Sequence, residues 1–312
     1  MNSLLNLDQF KDIVKKERPA YFLSTFDRAY KAFIELNYDT KDPLFFKNNA
    51  SQIIENMRAQ CWNDFLHEEN HFTIEMMKKL IDTNEISNMH PQDAIEWFIT
   101  NFNEHLYQLS LSNTQSRRSR AGKEFESIIE LIILGANINL DCQGNIGKEY
   151  FINKNLGKLV DIVTPGVVHY SINKRNTILI SAKTTLRERW QEVPEEMGRT
   201  GASEMFLATL DENISNDVLN TLYESNIQVT TTKRIKDKYY TNNSRVLTFE
   251  ELIEICVDAS NKWSDFIFTK NQLNTIISIL TEQKDKHKNH LFVNDKFKER
   301  LLCYFNLLNK HD

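Results

Sequence analysis

Residues 159–163 read Leu-Val-Asp-Ile-Val, and residues 178–183 read Ile-Leu-Ile-Ser-Ala-Lys. Each is a short apolar run rich in β-branched residues, the pattern of a strand buried on both faces. The second follows a turn-like stretch at 173–176, which sets its start near residue 177. Two such strands side by side bring Asp161 and Lys183 to the end of a sheet, where polar groups face a cleft. A carboxylate fixed on a rigid strand supplies the hard oxygen that a divalent cation needs. A lysine beside that cation can stabilise charge building on a phosphate or help polarise an attacking water.

Working outward, two more strands are expected at 205–210 and 227–231. Helical patterns lie between the strands at 185–193 and 215–224, the latter opening on the capping residues Ser215 and Asn216. Upstream, Phe125, Ile128, Ile129, Ile132 and Ile133 mark an amphipathic helix that stops around Gly135. Strands alternating with helices predict an α/β (α+β) core, a central mixed sheet flanked by helices.

The chain ahead of that core reads as helices joined by short turns. Residues 49–67 place Ile53, Ile54, Met57, Cys61 and Phe65 at helical spacing, and 91–107 place Ala94, Phe98 and Phe102 on one side. Residues 113–120 are polar and rich in turn formers, so a boundary or hinge is expected there. The reading is a helical N-terminal region over 1–115 and a core with C-terminal helices over 116–312. The tail at 248–310 is helical, with Trp263, Phe266, Ile276, Ile277 and Leu280 as packing residues, and Trp190 reads as core.

The 312 residues suffice for one large domain or two modest ones with a buried core. No apolar run is long enough to span a bilayer, and residues 1–12 lack the basic-then-apolar order of a secretory signal. Cys61, Cys142, Cys256 and Cys303 show no paired spacing, which points away from zinc and disulfides and towards a reducing cytoplasm. The net charge of −5 does not favour nucleic acid. Phosphates, however, feel charge only within roughly 8–10 Å. Two local basic clusters exist, Arg117, Arg118, Arg120 and Lys123, then Lys183, Arg187 and Arg189.

The pairing of a carboxylate strand with an x-Lys strand resembles the PD-(D/E)xK nucleases. Two positions depart from that motif: Val160 stands where the family has proline, and Ser181 where it has a second acid. One branch, the Type II restriction endonucleases resembling EcoRII, SsoII and NgoMIV, carries a relocated acid. Ser-Ala-Lys-Thr-Thr-Leu-Arg-Glu-Arg-Trp at 181–190, followed by Glu196, resembles the SsoII-type version. The resemblance implies Mg²⁺ held by Asp161 and Glu196, with Glu195 as the neighbouring alternative. It implies charge stabilisation by Lys183 and a supporting carboxylate at Glu126, in the helix after Arg120-Ala-Gly-Lys.

Arg187-Glu188-Arg189 suits a CC/GG half-site, because arginine grips guanine O6 and N7 while glutamate accepts from cytosine N4. This is also the role the resemblance implies. It further implies that Arg58 and Trp62, four apart on one helix side, hold a nucleotide flipped from the centre of the site, with Gln115 in the minor groove beside it. Arg117, Arg118, Arg120 and Lys123 are expected on phosphates. The expected reaction is double-strand cleavage at a CC/GG palindrome such as CCNGG, before the first C, leaving a five-nucleotide 5′ overhang. A symmetric site requires two active sites, so a homodimer is expected, with a cognate DNA methyltransferase in the same system. The rival readings are a repair or structure-specific nuclease on the same core and a DNA-binding protein without catalysis.

Overall fold

The computed structural model describes residues 4–156 and 160–310, without the side chains of Glu188 and Arg189. The chain divides into two compact units, Met1–Ala29 with Arg58–Glu124, and Tyr30–Met57 with Phe125–Asp312.

The first unit is helical. Helix α1 (Leu7–Tyr21) starts at a capping box in which the Asn6 side chain and Gln9 satisfy each other's backbone N–H groups. The unit also takes residues 25–29 of helix α2 (Thr25–Glu35), residues 58–78 of the long helix α3 (Pro43–Lys78), the single turn α4 (Thr83–Ile86) and residues 91–124 of the long helix α5 (Pro91–Gly135), the rest of these helices belonging to the second unit. Phe10 and Val14 of α1 stand one turn apart and bury against Phe65, Phe72 and Met76 of α3 and Phe102 and Leu109 of α5.

The hinge expected at 113–120 is absent. These residues are helical within α5. Their polar side chains are occupied instead of breaking the helix. Asn113 accepts from the Arg18 guanidinium at 2.7 Å and donates to Thr73 at 2.9 Å, and the Thr114 hydroxyl bonds back to the Ser110 carbonyl at 3.0 Å.

The second unit holds one six-stranded sheet in the order β1 (Asp141–Cys142), β2 (Ile162–Thr164), β3 (Ile178–Lys183), β4 (Met205–Thr209), β5 (Ile227–Thr231), β6 (Val246–Thr248). The first two pairings are antiparallel and the last three parallel. Every residue of β4 is buried, in keeping with its apolar run Met205 to Ala208, which ends on the buried Thr209. Short helices α6 (Gln143–Ile146), α7 (Lys148–Asn153) and α8 (Val167–Ile172) flank the antiparallel side. Helices α9 (Glu192–Thr200), α10 (Asn216–Glu224) and α11 (Lys233–Tyr239) carry the chain between the parallel strands. The tail forms α12 (Phe249–Asn261), α13 (Lys270–Lys286) and α14 (Leu291–Leu308), the first two opened by capping boxes at Thr248 and Thr269.

Four details differ from the sequence reading. The strand expected at 159–163 begins only at Ile162, and Leu159 lies outside the described residues. Strands β1 and β6, of two and three residues, are too short to leave a pattern. The helix expected at 185–193 is a 3₁₀ turn over Arg187–Gln191, with α9 starting at Glu192. Pro194 explains that start. Proline lacks an N–H and fits a helix only in its first turn. Finally, Trp190 is half-buried and Phe266 is exposed at 38%, although the Phe266 ring still meets Trp263 and Phe268 at 5.0 and 4.8 Å.

Candidate active site

The parallel strand β3 and the antiparallel β2 bring Lys183 and Asp161 to the same end of the sheet. The ladder between them covers Ile162–Thr164 and Ile178–Ile180. Beyond it, the Ala182 N–H donates to Asp161 Oδ2 at 2.7 Å. Lys183 Nζ donates to the same oxygen at 3.2 Å and to the Ala182 carbonyl at 3.0 Å. Asp161 and Lys183 are largely buried, with side chains 11% and 17% exposed. The carboxylate thus sits in a partly desolvated pair with an ammonium, aimed by a backbone donor.

The main chain of Asp161 is equally fixed. Its N–H donates to the Ile180 carbonyl at 2.9 Å, and its carbonyl accepts from the Gln143 N–H at 2.8 Å. The Gln143 side chain donates to the Val160 carbonyl at 3.0 Å. Gln143 was not visible as a site residue in the sequence, since its partners are far along the chain. Asp211 was missed for the same reason. Its Oδ2 accepts from the Leu186 N–H at 2.8 Å, which ties down the loop between Lys183 and Arg187.

Helix α9 places the two adjacent glutamates differently. Glu196 is buried on the face that also buries Val193, Met197 and Thr200, whereas Glu195 is exposed and pairs with Arg199. Arg199 also lies 3.8 Å from Glu196 Oε1. Glu126 is half-buried on α5, one turn before the buried Glu130. Ser181, where the family motif has an acid, is fully buried in β3. Among the described residues, no group of three or more His, Cys, Asp or Glu side chains encloses a metal position. The hard oxygens of Asp161 and Glu196 are the donor type a Mg²⁺-like cation takes. Arg187 is exposed and holds a left-handed backbone, φ 44°, at the start of the 3₁₀ turn. The expected recognition side chains of Glu188 and Arg189 lie outside the described residues.

The remaining expected residues belong to the first unit. Trp62 is 46% exposed, so it is not a core residue. Its ring stacks on Phe65 at 6.1 Å, and the Arg117 guanidinium lies 5.9 Å from its centre. Arg58, one turn earlier on α3, donates to the Ala121 carbonyl at 3.2 Å. Burial lowers the Arg58 pKa, and the Glu124 charge opposes that shift. Gln115, Arg118 and Lys123 are exposed on α5. Arg117 and Arg120 have internal partners. Arg117 grips the buried Glu69 through two nitrogens, with Nε–Oε2 at 2.8 Å. Arg120 reaches the Leu23 carbonyl, lies 3.8 Å from Glu124, and covers the Phe22 and Phe65 rings at 5.5 and 5.4 Å.

Known proteins match both the fold and the sequence of this chain. Residues 84–253 match the family described as EcoRII C terminal. The Type II restriction enzyme SsoII of Shigella sonnei is 48% identical over 301 residues, covering 96% of this chain and 99% of that protein. The chain belongs to the Type II restriction endonucleases. The enzyme also superposes on metal-depleted Ecl18kI in complex with uncleaved, modified DNA, with a TM-score of 0.90 and 48% identity over 95% of this chain and 99% of that one. The restriction endonuclease PspGI in its substrate DNA complex shares the fold, with a TM-score of 0.58 and 16% identity over 77% of this chain and 94% of that one. The enzyme is therefore a site-specific DNA endonuclease, a phosphodiester hydrolase. Among its described residues no helix is long and apolar enough to cross a membrane.

Proposed function

We propose that the enzyme makes Mg²⁺-dependent double-strand cuts at a CC/GG palindrome, CCNGG in its simplest form, before the first C, with the central nucleotides flipped out. The observation that carries the catalytic part is the Asp161 carboxylate, fixed between the Ala182 N–H and the Lys183 ammonium at 2.7 and 3.2 Å. Asp161 and Glu196 would hold the cation, which when bound would supply positive charge against the scissile phosphate. Lys183 donates to a phosphate oxygen as negative charge grows on it. Glu126 orients the attacking water. Attack in line with the breaking P–O bond transfers the phosphate to water and releases the 3′ oxygen of the preceding nucleotide.

Arg187 and Arg189 take the guanines and Glu188 the neighbouring cytosines. The exposed Trp62 ring and the anchored Arg58 receive the flipped nucleotide, with Gln115 in the minor groove. Arg118 and Lys123 face phosphates, and Arg117 and Arg120 join them only by sharing their present partners. Two copies act on the palindrome as a homodimer, and a methyltransferase of the same specificity protects the host's own sites.

Digestion of a plasmid of known sequence with Mg²⁺, beside a Lys183→Ala control, tests this reading. Discrete fragments whose sequenced ends lie at CC-N-GG, absent from the control, support it. Ragged ends without a common sequence would instead indicate a structure-specific nuclease. DNA binding without cutting would remove catalysis altogether.

A further inference from the structure

We propose that Gln143 is a positioning residue for the cleavage step, holding the backbone of Asp161 so that its carboxylate meets the cation at a fixed angle. The proposal rests on the reading that Asp161 is a cation ligand. Asp161 is followed by β2 but precedes its first residue, so the regular ladder does not hold it. The β1–β2 pairing covers only Asp141 with Val163 and Cys142 with Ile162. Gln143 continues that hold past the end of the ladder.

Two peptide planes meet at the Asp161 Cα, and their orientation sets where the carboxylate points. The plane before it is gripped at both ends, the Val160 carbonyl by Gln143 Nε2 at 3.0 Å and the Asp161 N–H by the Ile180 carbonyl at 2.9 Å. The plane after it is gripped at the Asp161 carbonyl by the Gln143 N–H at 2.8 Å. Gln143 is the first residue of α6, so its N–H has no partner inside that helix and is available to the strand. The turn is anchored in its own right. Asn145 donates to the buried Glu130 at 2.6 Å, and Lys286 donates to the Gly144 carbonyl. Gln143 thus transmits a rigid surround to the aspartate, and only its side-chain bond can be removed by substitution.

Groups that orient a metal ligand without touching the metal commonly change metal affinity or activity by about 10- to 100-fold when removed. Gln143→Leu keeps the side-chain bulk and removes the donor. It is expected to raise the Mg²⁺ concentration for half-maximal cleavage about tenfold and to lower the single-turnover rate at saturating Mg²⁺. Kd for cognate DNA in metal-free buffer should stay within about twofold, a split that a general loss of structure would not give. Gln143→Met, equally long and more flexible, serves if the leucine variant lowers Tm. Wild-type Mg²⁺ dependence and rate in a well-folded Leu or Met variant would overturn the proposal. So would a loss of metal-free DNA binding that matches the loss of rate. Asp161→Ala separates the two layers. If it still cuts, the ligand reading has failed; if it is inactive while Gln143→Leu is normal, the positioning proposal alone has failed.

Discussion

Truncating Trp62 to alanine separates two uses of the same ring. If it only packs, the substitution costs stability and nothing specific to the central nucleotide. A tryptophan side chain fully buries about 200 Å². With Trp62 46% exposed, about 100 Å² is at stake, an upper bound of about 2.5 kcal/mol of folding stability at 25 cal/mol per Å². If the ring receives a flipped base, its removal also forfeits a base stack, about 1–3 kcal/mol or roughly 5- to 150-fold in affinity. The assay is a double-mutant cycle. Kd is measured for wild type and Trp62→Ala on cognate duplex and on the same duplex with an abasic residue at the central position. The stacking term should vanish on abasic DNA, leaving coupling of at least about 1 kcal/mol. A 2-aminopurine at the centre provides an independent readout, because its fluorescence rises when unstacked from DNA and is quenched on an aromatic face. Equal losses on intact and abasic duplex, with unchanged 2-aminopurine signal, would refute the stacking role and return Trp62 to packing.

Three further outcomes follow from the same geometry. A Cβ at Gly135 would lie 2.5 Å from the fully buried Phe46 ring. Gly135→Ala gains at most about 1 kcal/mol of helix propensity against about 1–3 kcal/mol of overpacking, so Tm should fall by a few degrees, and a rise would show that Phe46 moves aside freely. Burial pushes the Glu130 carboxyl from 4.5 up to about 7, opposed by hydrogen bonds from Asn145 and Cys142 and by the charges of Lys286 and Arg300, with His287 3.7 Å away. The folded state therefore holds the proton more tightly. The contribution is full below about pH 4.5 and lost as pH rises to 7, a swing of about 3 kcal/mol. Glu130→Gln should accordingly gain stability relative to wild type between pH 5 and 8 in denaturant titrations, and a pH-independent difference would contradict the shift. Arg187→Ala should relax discrimination at one guanine by about 1–3 kcal/mol in competition cleavage of singly altered sites, whereas an equal loss on all sites would make Arg187 a phosphate contact.

The sheet was legible where strands are buried on both faces. The β4 run appears in the sequence as a largely apolar stretch because no face of it meets water, and β5 shows instead as a β-branched run, Ile227, Val229, Thr230 and Thr231, with only Gln228 half-buried. The pairing of Asp161 with Lys183 was legible from two apolar runs side by side, one interrupted by Asp161 and the other ended by Lys183. The burial of Glu196 rather than Glu195 is also present as periodicity, since Val193, Met197 and Thr200 define the inward face of α9. What could not be read were contacts made by backbone atoms and by residues distant in the chain. The amides of Gln143 and Leu186 fix the site through Asp161 and Asp211, and no local pattern announces such a partner. The 113–120 segment was misread because its polar residues look like loop formers until their partners Arg18, Thr73 and Glu69 are known.

That misreading also explains why charge counting says little about DNA binding in this enzyme. Arginines that look like a solvent-facing basic patch in the sequence are partly internal in the first unit. Arg28 is fully buried, 2.5 Å from Glu68 and 3.5 Å from Glu124. Glu124 in turn is pushed up by burial and pulled down by Arg120, Arg28 and Arg58. One carboxylate, 3.5 and 3.8 Å from Arg28 and Arg120 and electrostatically felt by Arg58, offsets part of the desolvation that each guanidinium would bear alone. On the proposed reading, Arg58, already bonded to the Ala121 carbonyl, would not have to be ordered when a nucleotide arrives. Side chains ordered in advance spare a ligand about 0.5–1.5 kcal/mol each on binding. On the proposed reading, acidic residues that lower the net charge still serve DNA recognition, by keeping Arg58 where a flipped nucleotide would need it.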